Sequence, residues 1–233
     1  MRSIKLFTCI SVLFLFSLPF FAENTSVHTL HLSFPFEFRT LKITNSHSRK
    51  YFDFDSECKS NLFGVCANWN RLIFKENGLS FLFGIELGFT AGKFPDISSD
   101  FFSGGLFNSI AGKFGIGFAP LQNEKYILAF HGFSELNARL LDCNTKYAVG
   151  NSSDNLHYTV FEGNLVMGID AVFLFKMGQI VSLFSGIDVS TIVIGNGSLT
   201  AERDSGMDFK EVTYKNYFNG INIVPRLGLC WGL

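Results

Sequence analysis

Residues 217–233 read YFNGINIVPRLGLCWGL, and every second position from Ile221 is apolar: Ile221, Ile223, Pro225, Leu227, Leu229, Trp231 and Leu233. Between them stand Asn222, Arg226, Gly228 and Gly232. Alternate side chains of a strand point to opposite faces, so this segment presents one face of hydrocarbon and one of amide, guanidinium and glycine. Such a strand reads as lying between lipid and a polar interior.

The same period of two recurs upstream in seven further segments. Val27 to Phe38 sets Leu30, Leu32, Phe34, Phe36 and Phe38 against Thr29, His31, Ser33 and Glu37, with Pro35 marking an irregularity because it lacks a ladder donor. Phe63 to Phe74 sets Phe63, Val65, Ala67, Trp69 and Ile73 against Cys66, Asn68 and Asn70; Arg71 interrupts its apolar face and is expected to snorkel to headgroups near a rim. From Leu79, the residues Phe81, Phe83, Ile85, Leu87 and Phe89 oppose Ser80, Gly84, Glu86, Gly88 and Thr90. A fourth strand ending near Ala119 sets Ile110, Phe114, Ile116 and Phe118 against Ser109, Lys113, Gly115 and Gly117. The fifth, from Tyr126, sets Leu128, Phe130 and Leu136 against His131, Glu135, Asn137 and Arg139, with Phe133 on the polar side. The sixth, within residues 157–175, opposes Leu165, Met167, Ile169, Ala171, Phe173 and Phe175 to Asn164, Gly168 and Asp170. The seventh opposes Val181, Leu183, Ile187, Val189 and Val193 to Ser182, Gly186, Asp188 and Ser190.

Two classes of connection separate these strands. Residues 75–78, 120–125 and 176–179 are short turns, the first carrying the hairpin signal Asn77-Gly78. Residues 39–62, 91–106, 140–157 and 195–216 read as long polar loops. Short turns at one end and long loops at the other are the asymmetry of a membrane barrel. The expectation is an all-β fold, an eight-stranded antiparallel up-and-down transmembrane β-barrel. A band about 25 Å tall crossed by tilted strands needs roughly 10 residues per strand, the order of each alternating segment. Tyr126, Trp231 and Tyr217 fall where interfacial aromatic rings belong.

Composition agrees. The chain is 47% hydrophobic with 29 Phe, yet only 17% charged. No segment after the N-terminal one approaches the ~20 consecutive apolar residues of a membrane helix, so the surplus belongs to strands. A formal net charge of -1 argues against a nucleic-acid partner. Arg2 and Lys5, the apolar run Leu6 to Leu18, then Pro19 and Ala22 describe a cleaved signal peptide over residues 1–22, leaving a barrel over 23–233. The implied location is a bacterial outer membrane, reached by Sec-type export. Cys58, Cys66, Cys143 and Cys230 remain after cleavage; export permits a Cys58–Cys66 bridge, free thiols are the alternative, and no spacing suggests a metal site or cofactor. The Asn-x-Ser sequons at Asn24, Asn151 and Asn196 read as chance.

With the apolar face outward, the lumen takes His31, Glu37, Glu86, Lys113, His131, Glu135, Arg139, Asp170, Asp188 and Arg226. Isolated charges are costly in so narrow a bore, so these residues either form a closed structural network or line a wet path. Inward glycines fit either reading, leaving room for water or relieving crowding.

The export signal, eight alternating strands, four long loops and the closing Trp231 and Leu233 resemble the small outer-membrane proteins of the W, X and A types, over the whole mature chain. The resemblance implies that the terminal residues Leu227, Leu229, Trp231 and Leu233 are read by the outer-membrane assembly machinery, although Leu233 stands where those families usually carry Phe. For the W type it implies passage of small hydrophobic solutes, with outer-membrane lipids as partners. The competing expectation is a filled barrel whose loops, carrying Arg49, Lys50, Glu57, Glu202, Arg203 and Asp208, bind host ligands or act as antigens. A lipid A-modifying enzyme would need His157 with Ser152 or Ser153, and nothing in their spacing enforces a catalytic pair; the expectation is not an enzyme. A secreted lipocalin-like barrel would reverse the polarity of the two faces.

Overall fold

The computed structural model describes residues 25–47, 57–93, 105–149, 152–178, 181–203 and 209–232. The signal segment, Leu233 and the loop positions Arg49, Lys50 and Asp208 lie outside them. Nine strand segments run β1 (Thr25–Ser33), β2 (Phe36–His47), β3 (Glu57–Phe74), β4 (Leu79–Lys93), β5 (Gly105–Gln122), β6 (Tyr126–Val149), β7 (Ser152–Lys176), β8 (Ser182–Arg203) and β9 (Phe209–Trp231). All pairings are antiparallel. From β3 onward each strand pairs with its neighbours in sequence, and β1 and β2 both lie between β3 and β9, which closes the ring. The ring therefore has eight staves, one of them split.

The split falls at Phe34-Pro35. The ladder continues across it, because Phe34 N–H donates to the Pro225 carbonyl at 2.9 Å and the Pro35 carbonyl accepts from Gly64 N–H at 3.0 Å. Proline removes a donor, and the neighbouring strands still pair on both sides of it.

Polarity decides between the lipid-facing and the lipocalin-like barrel. Ile169 is 66% exposed, Leu87 56% and Ile221 56%, whereas Glu162 and Asp170 are 0% and His131 1%. The outside is hydrocarbon and the inside is charged, the reverse of a water-soluble barrel. Arg71, on the outward face near the short-turn end, donates its Nε–H to Ser26 Oγ at 2.9 Å. Beside it His28 stacks between Trp69 and Trp231, with ring centroids 5.7 and 5.9 Å away.

The strands are longer than the sequence suggests. β2, β3, β4, β5, β6, β7, β8 and β9 extend into residues read above as loops, and β6 pairs with β7 up to Val149 and Ser152. Beyond the apolar zone a strand has no need of alternating hydrophobicity, so its sequence turns polar while the ladder continues. Cys58 and Cys66 share strand β3, eight residues apart and thus about 26 Å along it. That separation excludes a bridge between them; Cys66 and Cys230 are free and buried.

The short turns use local chemistry. Gly78 has φ 82°, and no positive φ occurs at Asn77, so the Asn77-Gly78 turn places only its glycine in the left-handed region. Asn123 Oδ1 accepts from Lys125 N–H at 2.9 Å and Tyr126 N–H at 2.8 Å, an Asx turn.

Ile169 lies near the middle of the outward row on β7. Ile169→Arg is expected to destabilise the barrel by about 2–4 kcal/mol in lipid, measured by urea unfolding from vesicles. A water-facing position would change by less than about 0.5 kcal/mol.

Candidate functional site

The lumen is built in layers. At the short-turn end Val27, Leu72, Phe74, Leu82, Ala119, Ile127, Ala129, Val172, Leu174, Phe184 and Cys230 form one buried cluster. Every stave contributes, so an apolar plug fills the bore. The plug was not read from the alternation, because its residues occupy the polar side of each strand just inside a turn.

Above the plug lies the first charged layer. Asp170 and Asp188 stand directly opposite each other on β7 and β8, a repulsive pairing in isolation. Arg226 reaches from β9 to both, hydrogen-bonding Asp170 and approaching Asp188 Oδ1 at 2.7 Å. It passes over Gly186, where a methyl group would strike its guanidinium. Lys113 Nζ pairs with Asp188, lies 3.9 Å from Glu135 and sits 4.0 Å from the centroid of Phe133. This explains the aromatic ring on the polar side of β6. Phe184 forms the plug's face toward the charges: His31 stacks on it at 4.3 Å and Arg226 lies 5.4 Å from its centroid. His131 Nδ1 is 4.0 Å from Asp170. Asn68 donates to Ser33 Oγ at 2.8 Å, and that hydroxyl donates to Glu86 at 3.1 Å.

A second charged layer closes into a ring of alternating sign. Arg39 binds Glu162 through two hydrogen bonds, 3.0 and 2.6 Å, and approaches Glu37 with Nε at 3.0 Å. Arg139 donates to Glu37 at 2.7 Å and lies 3.9 Å from Glu162. Tyr214 donates its hydroxyl to Glu162 at 2.5 Å, and its ring occupies the space left by Gly197. β2 and β6 lie on opposite sides of the ring of staves, so this quartet spans the bore. Four formal charges cancel, each with a partner of opposite sign on either side.

Higher still, Phe107, Leu141, Val160 and Leu199 are buried and directly opposed on successive strands. An apolar plug thus bounds the polar layers below, and an apolar row on β5 to β8 flanks them above. A cavity of about 20 Å³ between the two charged layers admits a single water-sized group. The inward glycines serve close packing: a methyl on Gly88 would strike Cys66, and one on Gly228 would strike His31.

The structure places all ten sequence-selected lumen residues inside the ring, joined in the two networks just described. Arg39, Glu162 and Tyr214 were missed. Arg39 follows Glu37 by two, and Glu162 precedes Asn164 by two, so continuing the same alternation one step further would have found both. Leu227, Leu229 and Trp231 face outward, 56, 49 and 40% exposed. Ser153 and His157 lie four residues apart on the continuous strand β7, about 13 Å, and Ser152 is further away. Among the described residues no three His, Cys, Asp or Glu side chains converge to hold a metal.

Fold and lumen together define a closed, lipid-facing β-barrel whose polar interior is closed at the short-turn end by an apolar plug. No protein-family model matches the chain, and no curated protein matches it. Among solved structures it is similar to Neisserial surface protein A, with 11% identity, TM-score 0.35, and 84% of this chain and 95% of that one covered. It is also similar to the translocator domain of the autotransporter NalP from Neisseria meningitidis, at 11% identity, TM-score 0.25 and coverage of 99% and 97%. A third similarity is to a FadL homologue of Pseudomonas aeruginosa, at 6% identity, TM-score 0.27 and coverage of 89% and 90%. Likenesses this distant say nothing about activity; the fold rests on the ladders and the burial above.

Removing one member of the quartet strands its partners in a low-dielectric interior. Arg39→Met is expected to destabilise the barrel by about 3–5 kcal/mol, read from urea unfolding. The double variant Arg39→Met with Glu162→Met should cost clearly less than the sum of the two single changes, the coupling expected of a direct pair.

Proposed function

We propose that the chain is an integral outer-membrane barrel, exported through residues 1–22, whose lumen is a structural brace and whose working surface is its set of long hairpins. The observation that carries this reading is the closure of the bore at two levels, by the plug and by the Arg39–Glu162–Arg139–Glu37 ring. A bore so filled supports the wall; it does not favour solute flow along its axis.

The hairpins are long paired strands. β6 continues nine residues past the exposed Leu140, and β8 nine past the exposed Ile194, about 30 Å of strand in each case. Paired strands present side chains in fixed order, which suits recognition of a macromolecular ligand such as a host surface component. The outward C-terminal row Leu227, Leu229, Trp231 and Leu233 serves in this reading as the signal for the assembly machinery.

A second reading, passage of small hydrophobic solutes through the wall, is favoured by one feature. The β2–β9 and β8–β9 ladders lose register at the same level, around Phe218–Gly220, where Phe218 has φ 46° and is 80% exposed. Asn219 bridges the gap, accepting from Thr40 N–H at 3.2 Å and donating to the Thr40 carbonyl. A small cavity lined by Glu37, Arg139, Ile192, Asn219 and Gly220 lies just inside.

Refolded protein in a planar bilayer, with insertion verified by heat-modifiable gel migration, is expected to give no discrete conductance steps. Neutralising Glu86 or Arg226 should leave that silence unchanged. Steps that change with either substitution would overturn the sealed-brace reading, and uptake of an apolar dye lost on sealing the Phe218–Gly220 seam would favour passage through the wall.

A further inference from the structure

A row of lysines crosses the outer wall just beyond the exposed apolar band. On β3 Lys59 stands four residues beyond the exposed Phe63, and on β2 Lys42 stands four beyond the exposed Phe38. On β9 Lys215 stands two beyond the exposed Tyr217. All three lysines are exposed. Lys42 and Lys215 are directly opposed in the β2–β9 ladder. Lys59 is opposite Thr40, one diagonal step from Lys42, and Lys93 on β4 is opposite Asn61, one diagonal step from Lys59. Directly opposed positions lie about 5 Å apart at Cβ and diagonal ones about 7–8 Å, so the four form one contiguous row across four neighbouring strands.

Like charges this close repel one another. Among the described residues of this sector the carboxylates are fewer: Glu57 opposite Lys42, and Glu211 four residues beyond Lys215. The far side of the ring differs. Past the exposed Leu140 and Phe161 on β6 and β7, the next pair of the same parity is Asp142 and Thr159. Below the lysine row, Phe38, Phe63, Phe89 and Tyr217 on the same strands are exposed. Four residues are about 13 Å of tilted strand, and a lysine stem lies along part of that distance while its ammonium stays in the polar layer. Ammonium groups above exposed rings fit an anionic headgroup above acyl chains; a soluble polyanion would leave the rings unused. A row of four suits a headgroup with more than one phosphate, and the exposed Asn61 and Asn196, opposite Lys93 and Lys215, offer hydrogen bonds to hydroxyls.

We propose that this row binds a glycolipid carrying phosphates on its sugars, of the lipid A kind, in the leaflet at the long-hairpin end, an assignment that rests on the hairpins facing out of the cell. The lipid's phosphates offset the repulsion among the lysines, and its acyl chains lie on the phenylalanines below.

The test uses the mature chain, residues 23–233, folded in a non-ionic detergent and checked by heat-modifiable migration. Native mass spectrometry with bisphosphorylated lipid A should show one saturable lipid per barrel, weakened by removal of the phosphates and by added salt. The double variant Lys42→Gln with Lys215→Gln should weaken binding about tenfold or more, and Lys59→Gln about fivefold. Lys125→Gln with Lys176→Gln, an equal loss of charge at the short-turn end, should leave it unchanged. Exposed lysines can be replaced with little effect on folding. Equal losses in the two double variants would overturn the proposal by reducing it to net charge. Absence of saturable binding would overturn it too, as would tighter binding of phosphatidylglycerol, which carries a single phosphate and no sugar. An epitope inserted between Val149 and Ser152, probed by antibody on intact cells, reads the orientation separately. An epitope hidden on a folded barrel would overturn the orientation and the glycolipid with it, whereas a detected epitope with failed lipid binding would overturn the lipid site alone.

Discussion

A strand in hydrocarbon has no water to satisfy its amides, so each must find its partner in another strand. The pairing of both β1 and β2 with β9 on one side and β3 on the other meets that demand by leaving the sheet without an edge along the lipid-facing wall. Closure then dictates the rest. Once the wall is a ring and lipid lies outside, alternation forces every second side chain inward, and an eight-stave bore is too narrow for those side chains to remain strangers. The charged residues are close because the ring is small, and their pairing follows from that closeness.

The interior solves its electrostatics by reach. Arg226, Lys113, Arg39 and Tyr214 project across neighbouring strands and settle on carboxylates there, and the glycines at 186 and 197 lie where those long side chains need to pass. Directly opposed Asp170 and Asp188 are tolerable because one guanidinium touches both. The apolar plug below and the close packing of the narrow bore hold water away from these pairs. That raises the cost of losing any one partner more than it raises the net value of the pair.

Much of this was legible in the residue order. The period of two gives the staves, the division of each into an apolar and a polar face, and the short-turn end, and Pro35 announces an irregularity where the stave splits. The sense of the two faces needed the structure, since alternation is symmetric with respect to inside and outside. The upper halves of the strands were hidden because beyond the lipid no face must be apolar, and ladder hydrogen bonds leave no mark on composition. Arg39 and Glu162 went unread for a simpler reason: each lies one step of the alternation past the last inward residue taken from it, Glu37 and Asn164. The plug residues Leu82, Val172 and Phe184 were hidden by the opposite error, apolar side chains on a face assumed to be polar. Phe133 was noticed as an exception, and its meaning emerged only when Lys113 was found over its ring.

The register shift in β8 has a consequence for how such a chain can change. Below Val193 the even-numbered residues face inward, from Ser182 to Ile192; above it the odd-numbered Gly195, Gly197 and Leu199 do. One extra residue therefore works as a shift of reading frame between the part of the strand in lipid and the part beyond it. Insertions or exchanges in the outer arm need not keep the parity of the membrane segment, because a bulge at this level can reset it. The exposed arms are thereby free to diversify in length by odd or even steps while the embedded ring keeps its facing unchanged.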